Sequence, residues 1–279
     1  MRLIVLFVFL GGISFGQNSI LWQITGKGVK DTSYLYGTIH LPNKKYFYVH
    51  PKVHEVKKKV DAGVFEIELK EDSLAYISMA MMANAGNRIS DLYKKEEQNF
   101  IYDFFKKIGI PSVMVNNMKP IALTTMLLSV MQPADTTGGI DQLLQNDFKL
   151  MGKPVLALET IKMQADLLLG MPIDIQKKEL WESLNNLDSL MNSLHELDSV
   201  YVSQDLKGIV KLLDDIENEE YLNKDLLNDS RNLKMVEKLP DLIKNKSLLI
   251  CVGAVHLCGD KGLIQLLIDK GYTLEPVLN

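Results

Sequence analysis

Cysteine is nearly absent, with two residues in a chain of 279. A bridge between Cys251 and Cys258 would have to cross a glycine turn, so two free thiols and an unstapled fold are expected. Positive charge is not in excess. The net charge is −4, and no basic stripe interleaves with aromatics, which excludes nucleic acid as a partner class. The short run Lys57-Lys58-Lys59 falls in an amphipathic stretch and reads as a solvated helix face. Beyond the first residues no apolar run has the uninterrupted length of a transmembrane helix, so no stable membrane span is expected in the processed chain. No tract rich in Pro, Gly or Ser divides the sequence. Several catalytic signatures are missing as well: the G-x-S-x-G elbow, the Walker loop, the Rossmann glycine fingerprint and His-Glu-x-x-His.

What is present begins with a targeting segment. Arg2 supplies a positive start, Leu3 to Leu10 an apolar stretch, and Ser14-Phe15-Gly16 the small residues that a signal peptidase reads. Residues 1–16 are therefore expected to be a signal peptide and residues 17–279 one domain. The product would be exported, to a periplasm or to the outside. No Cys follows the apolar stretch to carry a lipid anchor. The chain is 47% hydrophobic and 24% charged, which is ordinary for a globular protein.

Short β-rich runs cluster at the two ends: Ile20–Thr25, Tyr34–Thr38 and Gly63–Leu69 early, Leu248–Val252 and Tyr272–Val277 late. One more, Pro154–Leu158, lies midway. Between them the period is helical, over Ser73–Asn84, Glu96–Ile108, Lys119–Met131, Ile140–Met151 and stretches from Ile161 to Lys244. A last helix is expected over Leu263–Lys270. This order predicts an α/β fold: a single sheet built from the N- and C-terminal parts, flanked by helices, with a helical middle insert.

One phrase occurs twice. Tyr36-Gly37-Thr38-Ile39-His40-Leu41 closes an early strand, and Val252-Gly253-Ala254-Val255-His256-Leu257 closes a late one. A chance second copy has odds on the order of one in a thousand, so the repeat carries information. Glycine permits a sharp exit from the strand and presents the histidine at its end. Ligands of open α/β sheets bind at the carboxyl ends of strands, and imidazole is a favoured ligand of divalent metals, so His40 and His256 are expected to meet in one cleft.

Three further residues join them as candidates. Alternation in Gly63–Leu69 puts Glu66 and Glu68 on one face, solvated if the strand is an edge, in need of a partner if it is central. Glu159 ends the apolar run Pro154–Leu158, either as a first-turn helix residue or as a second carboxylate at the same edge. Arg231 follows Asn228-Asp229-Ser230, which looks like a helix start; it is a surface residue or a clamp for a carboxylate or a developing anion. His50, His54 and His195 lack convergent partners and read as structural or surface residues. Cys258, two residues after His256, is a minor candidate for a soft metal ligand.

With these motifs in view, the chain resembles the TraB/GumN family, which also includes the TIKI proteases. The paired G-x-x-H motifs, Gly37–His40 and Gly253–His256, carry the likeness. So do Leu21-Trp22, Phe65-Glu66-Ile67-Glu68, Met118-Lys119-Pro120 and Gly139-Ile140-Asp141. It continues through Gly152-Lys153-Pro154-Val155, Leu158-Glu159-Thr160 with Gln164, and Arg231-Asn232 with Met235. Cys258 departs from the pattern, since many relatives have Pro there.

The resemblance implies two histidines and a glutamate around one metal, and a metal-dependent peptidase activity. On that reading His40, Glu66 and His256 are metal ligands, with Glu66 favoured over Glu68. Glu159 is a general base or a further ligand, and Arg231 orients a carboxylate or stabilises an oxyanion. The cofactor is a divalent metal, Mn, Co or Zn, with the resemblance tilting towards Mn or Co; the partner is a peptide or protein substrate. A non-catalytic metal-, haem- or peptide-binding protein is the alternative, because it would use the same cleft. Oligomeric state has no signature in the sequence. The targeting segment yields a direct test: intact mass of the exported protein should correspond to a chain beginning near Gln17, and a mass that retains Met1–Gly16 refutes cleavage.

Overall fold

The computed structural model describes residues 19–39, 48–131, 139–217 and 225–278. The expected signal peptide, residues 1–16, and His40 lie outside the described residues. Six strands form one mixed sheet: β1 (Leu21–Thr25), β2 (Ser33–Thr38), β3 (Ala62–Phe65), β4 (Val155–Ala157), β5 (Leu248–Gly253) and β6 (Thr273–Pro276), in the order β4-β3-β5-β2-β1-β6. β4, β3, β5 and β2 are mutually parallel, and β1 runs antiparallel to both its neighbours, β2 and β6. The chain is α/β, with a sheet assembled from both termini and one edge strand from the middle, as expected.

β3 and β5 are buried along their whole length, which explains their unbroken apolar composition: parallel strands covered on both faces have no polar side. β3 is shorter than the sequence suggests. It stops at Phe65, so Glu66 stands at its exit and Glu68 lies beyond it; the two do not share a strand face. The apparent alternation was a strand end followed by a polar loop. Glu68 is partly exposed and pairs with Lys70 at 2.9 Å.

The helical middle divides between two cores. The helix Gly139–Leu150 packs Ile140, Leu144 and Phe148 on the sheet, and Val200, Tyr201, Ile209, Met235 and Leu239 return the later helices to the same core. A second apolar cluster holds the rest together, built from Ile101, Phe105, Leu123, Leu127, Leu169 and Leu180 among others. Met118-Lys119-Pro120 starts the helix Pro120–Met131, with Pro at its first position where a missing N–H costs nothing. Among the described residues no helix is long and apolar enough to cross a membrane.

Neither glycine of the twin phrases has a left-handed backbone. Gly37 is required for space. A Cβ there would lie 2.8 Å from Leu257 Cδ1 and 3.0 Å from Ala254 Cα, so its bareness lets the 3-10 turn Ala254–Leu257 sit directly on β2. The sharp exit expected from glycine is thus a close approach between the two phrases. Gly37 O accepts from the Tyr201 hydroxyl at 3.0 Å, and Tyr201 is in turn 3.3 Å from the hydroxyl of Tyr36.

His50 is structural. Fully buried, it sets Nε2 3.1 Å from the Val277 carbonyl, and Nδ1 accepts from the Lys52 amide at 3.2 Å. A carbonyl only accepts and an amide N–H only donates, so the ring is the neutral Nε2–H tautomer. Burial, working against the Val277 bond, holds this imidazole below the ordinary histidine range. The unfolded chain, with an ordinary value of about 6.5, takes up the proton first. His50 therefore contributes its full stability above that value, and loses it as pH falls through the lower folded value. The thermal midpoint should accordingly drop more between neutral pH and about pH 5 in the wild type than in His50→Gln. Parallel curves for the two proteins would refute this account.

Candidate functional site

Four neighbouring parallel strands end at one edge of the sheet, and their exits bring the expected residues together. After β4 comes Glu159, after β3 Glu66, after β5 the turn carrying His256. β2 ends at Thr38 beside Gly253, at the start of the first histidine phrase. Backbone pairing runs past the strands proper, with Leu158 N donating to Phe65 O at 2.8 Å and Glu159 N to Glu66 O at 2.7 Å. That register sets the two glutamates side by side. Thr160 then caps the next helix, its side chain accepting from Met163 N, and this helix carries Gln164 back over both carboxylates.

Both carboxylates are buried, Glu66 at 3% exposure and Glu159 at 7%, and Arg231 joins them. Its Nη2 donates to Glu66 Oε2 at 2.6 Å and to Glu159 Oε2 at 2.7 Å, and its Nε to Glu159 Oε1 at 3.0 Å. Nη1 donates to Leu227 O at 2.9 Å, from a π turn over Asp225–Asp229 that runs directly into the helix Ser230–Ile243. The α-helix starts at Ser230 as expected, but Asp229 before it has helical backbone and makes no side-chain cap, because the π turn runs straight into the helix. Burial works against the guanidinium charge, but Glu159 and Glu66 more than offset it and raise the pKa of Arg231 above its ordinary value.

Two side-chain amides complete the cluster, and sequence reasoning gave neither a role. Gln164 Nε2 donates to Glu66 Oε2 at 2.7 Å and to Glu159 Oε2 at 2.9 Å. Asn232 Oδ1 lies 2.6 Å from His256 Nδ1. The nearest signals were the spacing of Gln164 from the Thr160 cap and the adjacency of Asn232 to Arg231. The backbone contributes too: Gly253 N donates to Glu66 Oε1 at 2.6 Å. His256, 2% exposed, turns Nε2 towards the same Oε1 at 3.6 Å.

Among the described residues the cluster holds two carboxylates and one guanidinium, with the His256 imidazole beside Glu66. Donors about 2.1 Å from a shared ion lie roughly 3–3.5 Å apart, close to the Glu66–His256 separation. On donor chemistry these two residues fit a divalent metal. Among the described residues, however, no group of three or more His, Cys, Asp or Glu is arranged to hold one. Cys258 leaves the candidate set: its Sγ is directed to Ala254 O at 3.4 Å, and burial pushes the thiol up to about 12. His54 and His195 are exposed and belong to other surfaces. A cavity of about 100 Å³, with room for a few waters, opens beside the cluster between Glu159, Met163, Gln164, Leu167, Arg231 and Lys234.

An α/β sheet whose parallel strand ends deliver Glu, Glu and a G-x-x-H histidine to one buried cluster defines a distinct class of protein. The family model that matches it is described as the TraB/PrgY/gumN family; it covers residues 20–276, and the chain belongs to that family. Neither a curated protein nor a solved structure matches the chain.

The Arg231 bridge makes a stability prediction. Arg231→Met keeps most of the volume but leaves two carboxylates buried without their cation, which should cost about 3–5 kcal/mol. Adding Glu159→Gln should recover a substantial part. Urea unfolding of the single and double variants measures both, and a single variant as stable as wild type would show that the bridge carries no such constraint.

Proposed function

We propose that this chain is an exported metal-dependent hydrolase acting on peptide bonds, with a divalent ion held by His40, Glu66 and His256. The observation that carries the proposal is the convergence of His256 Nε2 and Glu66 Oε1, 3.6 Å apart, in a buried cluster at the carboxyl ends of neighbouring parallel strands. The resemblance to TIKI proteases supports Mn or Co over Zn, and the apolar, positively started first sixteen residues support export. Bound there, such an ion would supply Lewis acidity to a scissile carbonyl and acidity to a water.

The protein groups divide the remaining work. Glu66 Oε2 is occupied by Arg231 and Gln164, so Oε1 is the oxygen presented towards His256. Glu159 lines the cavity, and Oε1 keeps a lone pair beyond the one that Arg231 Nε takes, which suits a proton acceptor for water better than a further ligand. Arg231 has one Nη1 hydrogen beyond its bonds to Leu227, Glu66 and Glu159, a donor for a developing oxyanion.

Elemental analysis of the purified chain, paired with a peptide library incubated with Mn, Co or Zn, tests the proposal. Glu66→Gln should lose metal, Glu68→Gln should keep both metal and cleavage, and Glu159→Gln should keep metal while losing cleavage by about 100-fold or more. Metal retained in Glu66→Gln but lost in Glu68→Gln would reverse the ligand assignment. Stoichiometric metal with no cleavage of any peptide would favour a non-catalytic binding protein.

A further inference from the structure

The geometry assigns Asn232 as the positioning residue of the site: its amide holds His256 in the Nδ1–H tautomer and so aims an Nε2 lone pair at Glu66. The inference deepens the metal reading above, but the tautomer itself does not depend on it. Three contacts lead to it. Asn232 Nδ2 donates to the Lys261 carbonyl at 2.8 Å. A carbonyl only accepts, so the NH2 end must face Lys261, and the flipped amide would set two oxygens against each other. Oδ1 is then the atom 2.6 Å from His256 Nδ1, and because Oδ1 also only accepts, Nδ1 carries the proton.

The carbonyl that orients the amide is itself tied down. Lys261 reaches Asp229 at 3.2 Å and Asp225 at 3.5 Å, across the π turn just before Asn232 on the same helical run. Asn232 is fully buried and His256 nearly so, which keeps water from taking over either contact.

The alternative tautomer shows what Asn232 prevents. With the proton on Nε2, the imidazole would donate directly to Glu66 Oε1, only 3.6 Å away in the present arrangement. Acid and imidazole would then satisfy each other, and the lone pair would be turned towards the helix instead of the cluster. An outer amide that secures Nδ1–H keeps the histidine available as a ligand.

The test uses the full mature chain labelled with 15N-histidine. In metal-free protein held in chelator, at a pH high enough that the ring is neutral, the His256 ring nitrogens should give a protonated-type signal from Nδ1 and an unprotonated-type signal from Nε2. Asn232→Asp gives up the bond to the Lys261 carbonyl but retains an acceptor for Nδ1, and should keep the Nδ1 signal protonated. Asn232→Ala should move the proton to Nε2. Mn(II) titration followed by electron paramagnetic resonance should show affinity weakened about 10–100-fold in Asn232→Ala and restored towards wild type in Asn232→Asp. A neutral wild-type ring with its one proton on Nε2 overturns the inference, as does an Asn232→Ala protein with wild-type pattern and affinity. If Asn232→Ala fails to fold, the wild-type and Asn232→Asp spectra still decide the matter. If the tautomers behave as stated but no variant binds Mn(II), Co(II) or Zn(II), the positioning role stands and the metal reading falls.

Discussion

Two glutamates delivered to adjacent, buried strand ends repel each other and resist leaving water; a cation between them is a condition of folding. Arg231 is that cation, and much of the architecture follows from the need to hold it there. The guanidinium meets Glu159 through its Nε–Nη2 edge and Glu66 through a further contact from Nη2. Those positions follow from the β3–β4 register, extended by two backbone bonds past the strands. The Leu227 carbonyl fixes the far side of the plane, from a π turn whose wider winding leaves it within reach of Nη1. A shift of one residue in either strand would turn a carboxylate to the opposite face of the sheet and leave Arg231 with one partner.

The twin histidine phrases look equivalent in sequence and do different work. At Gly37 the missing side chain admits Ala254 and Leu257, so the second phrase packs on the first. At Gly253 a Cβ would stand 3.2 Å from Glu66 Oε1, and the backbone N–H donates to that oxygen. One glycine is needed for packing between the phrases, the other for the approach of a carboxylate to the main chain. Both uses are of space, and neither depends on the left-handed conformations that glycine alone tolerates.

All six strands were legible as short bounded apolar runs, unbroken in β3 and β5 where both faces are covered, and the edge at which the parallel strands converge followed from topology alone. Glu159 and Arg231 were legible as charges at element ends, and Glu66 as a carboxylate in a strand run. What misled was local: Glu66-Ile67-Glu68 mimics strand alternation, although the ladder stops at Phe65, which pairs with Ala157, the last of the three residues of β4. Gln164 and Asn232 escaped for a different reason. A side-chain amide carries no charge and no spacing rule, and its worth lies in partners distant along the chain, Glu66 for one and Lys261 for the other. The split of the helical middle between two cores escaped too, since the helical period reports that a face is buried without reporting against what.

Arg231 and Asn232 are neighbours in sequence, and in a helix successive side chains diverge by about 100°. One therefore reaches the glutamates behind β3 and β4 while the other reaches the imidazole after β5, from a single turn. That turn is held from below by Met235, Val236 and Leu239 in the sheet core and at its start by the Lys261 contacts to Asp225 and Asp229. Carboxylate pair and imidazole are thus positioned by the same rigid element. A displacement of this helix would disturb both the charge balance of the cluster and the orientation of the histidine, so the two halves of the site are coupled through its placement and cannot be tuned separately.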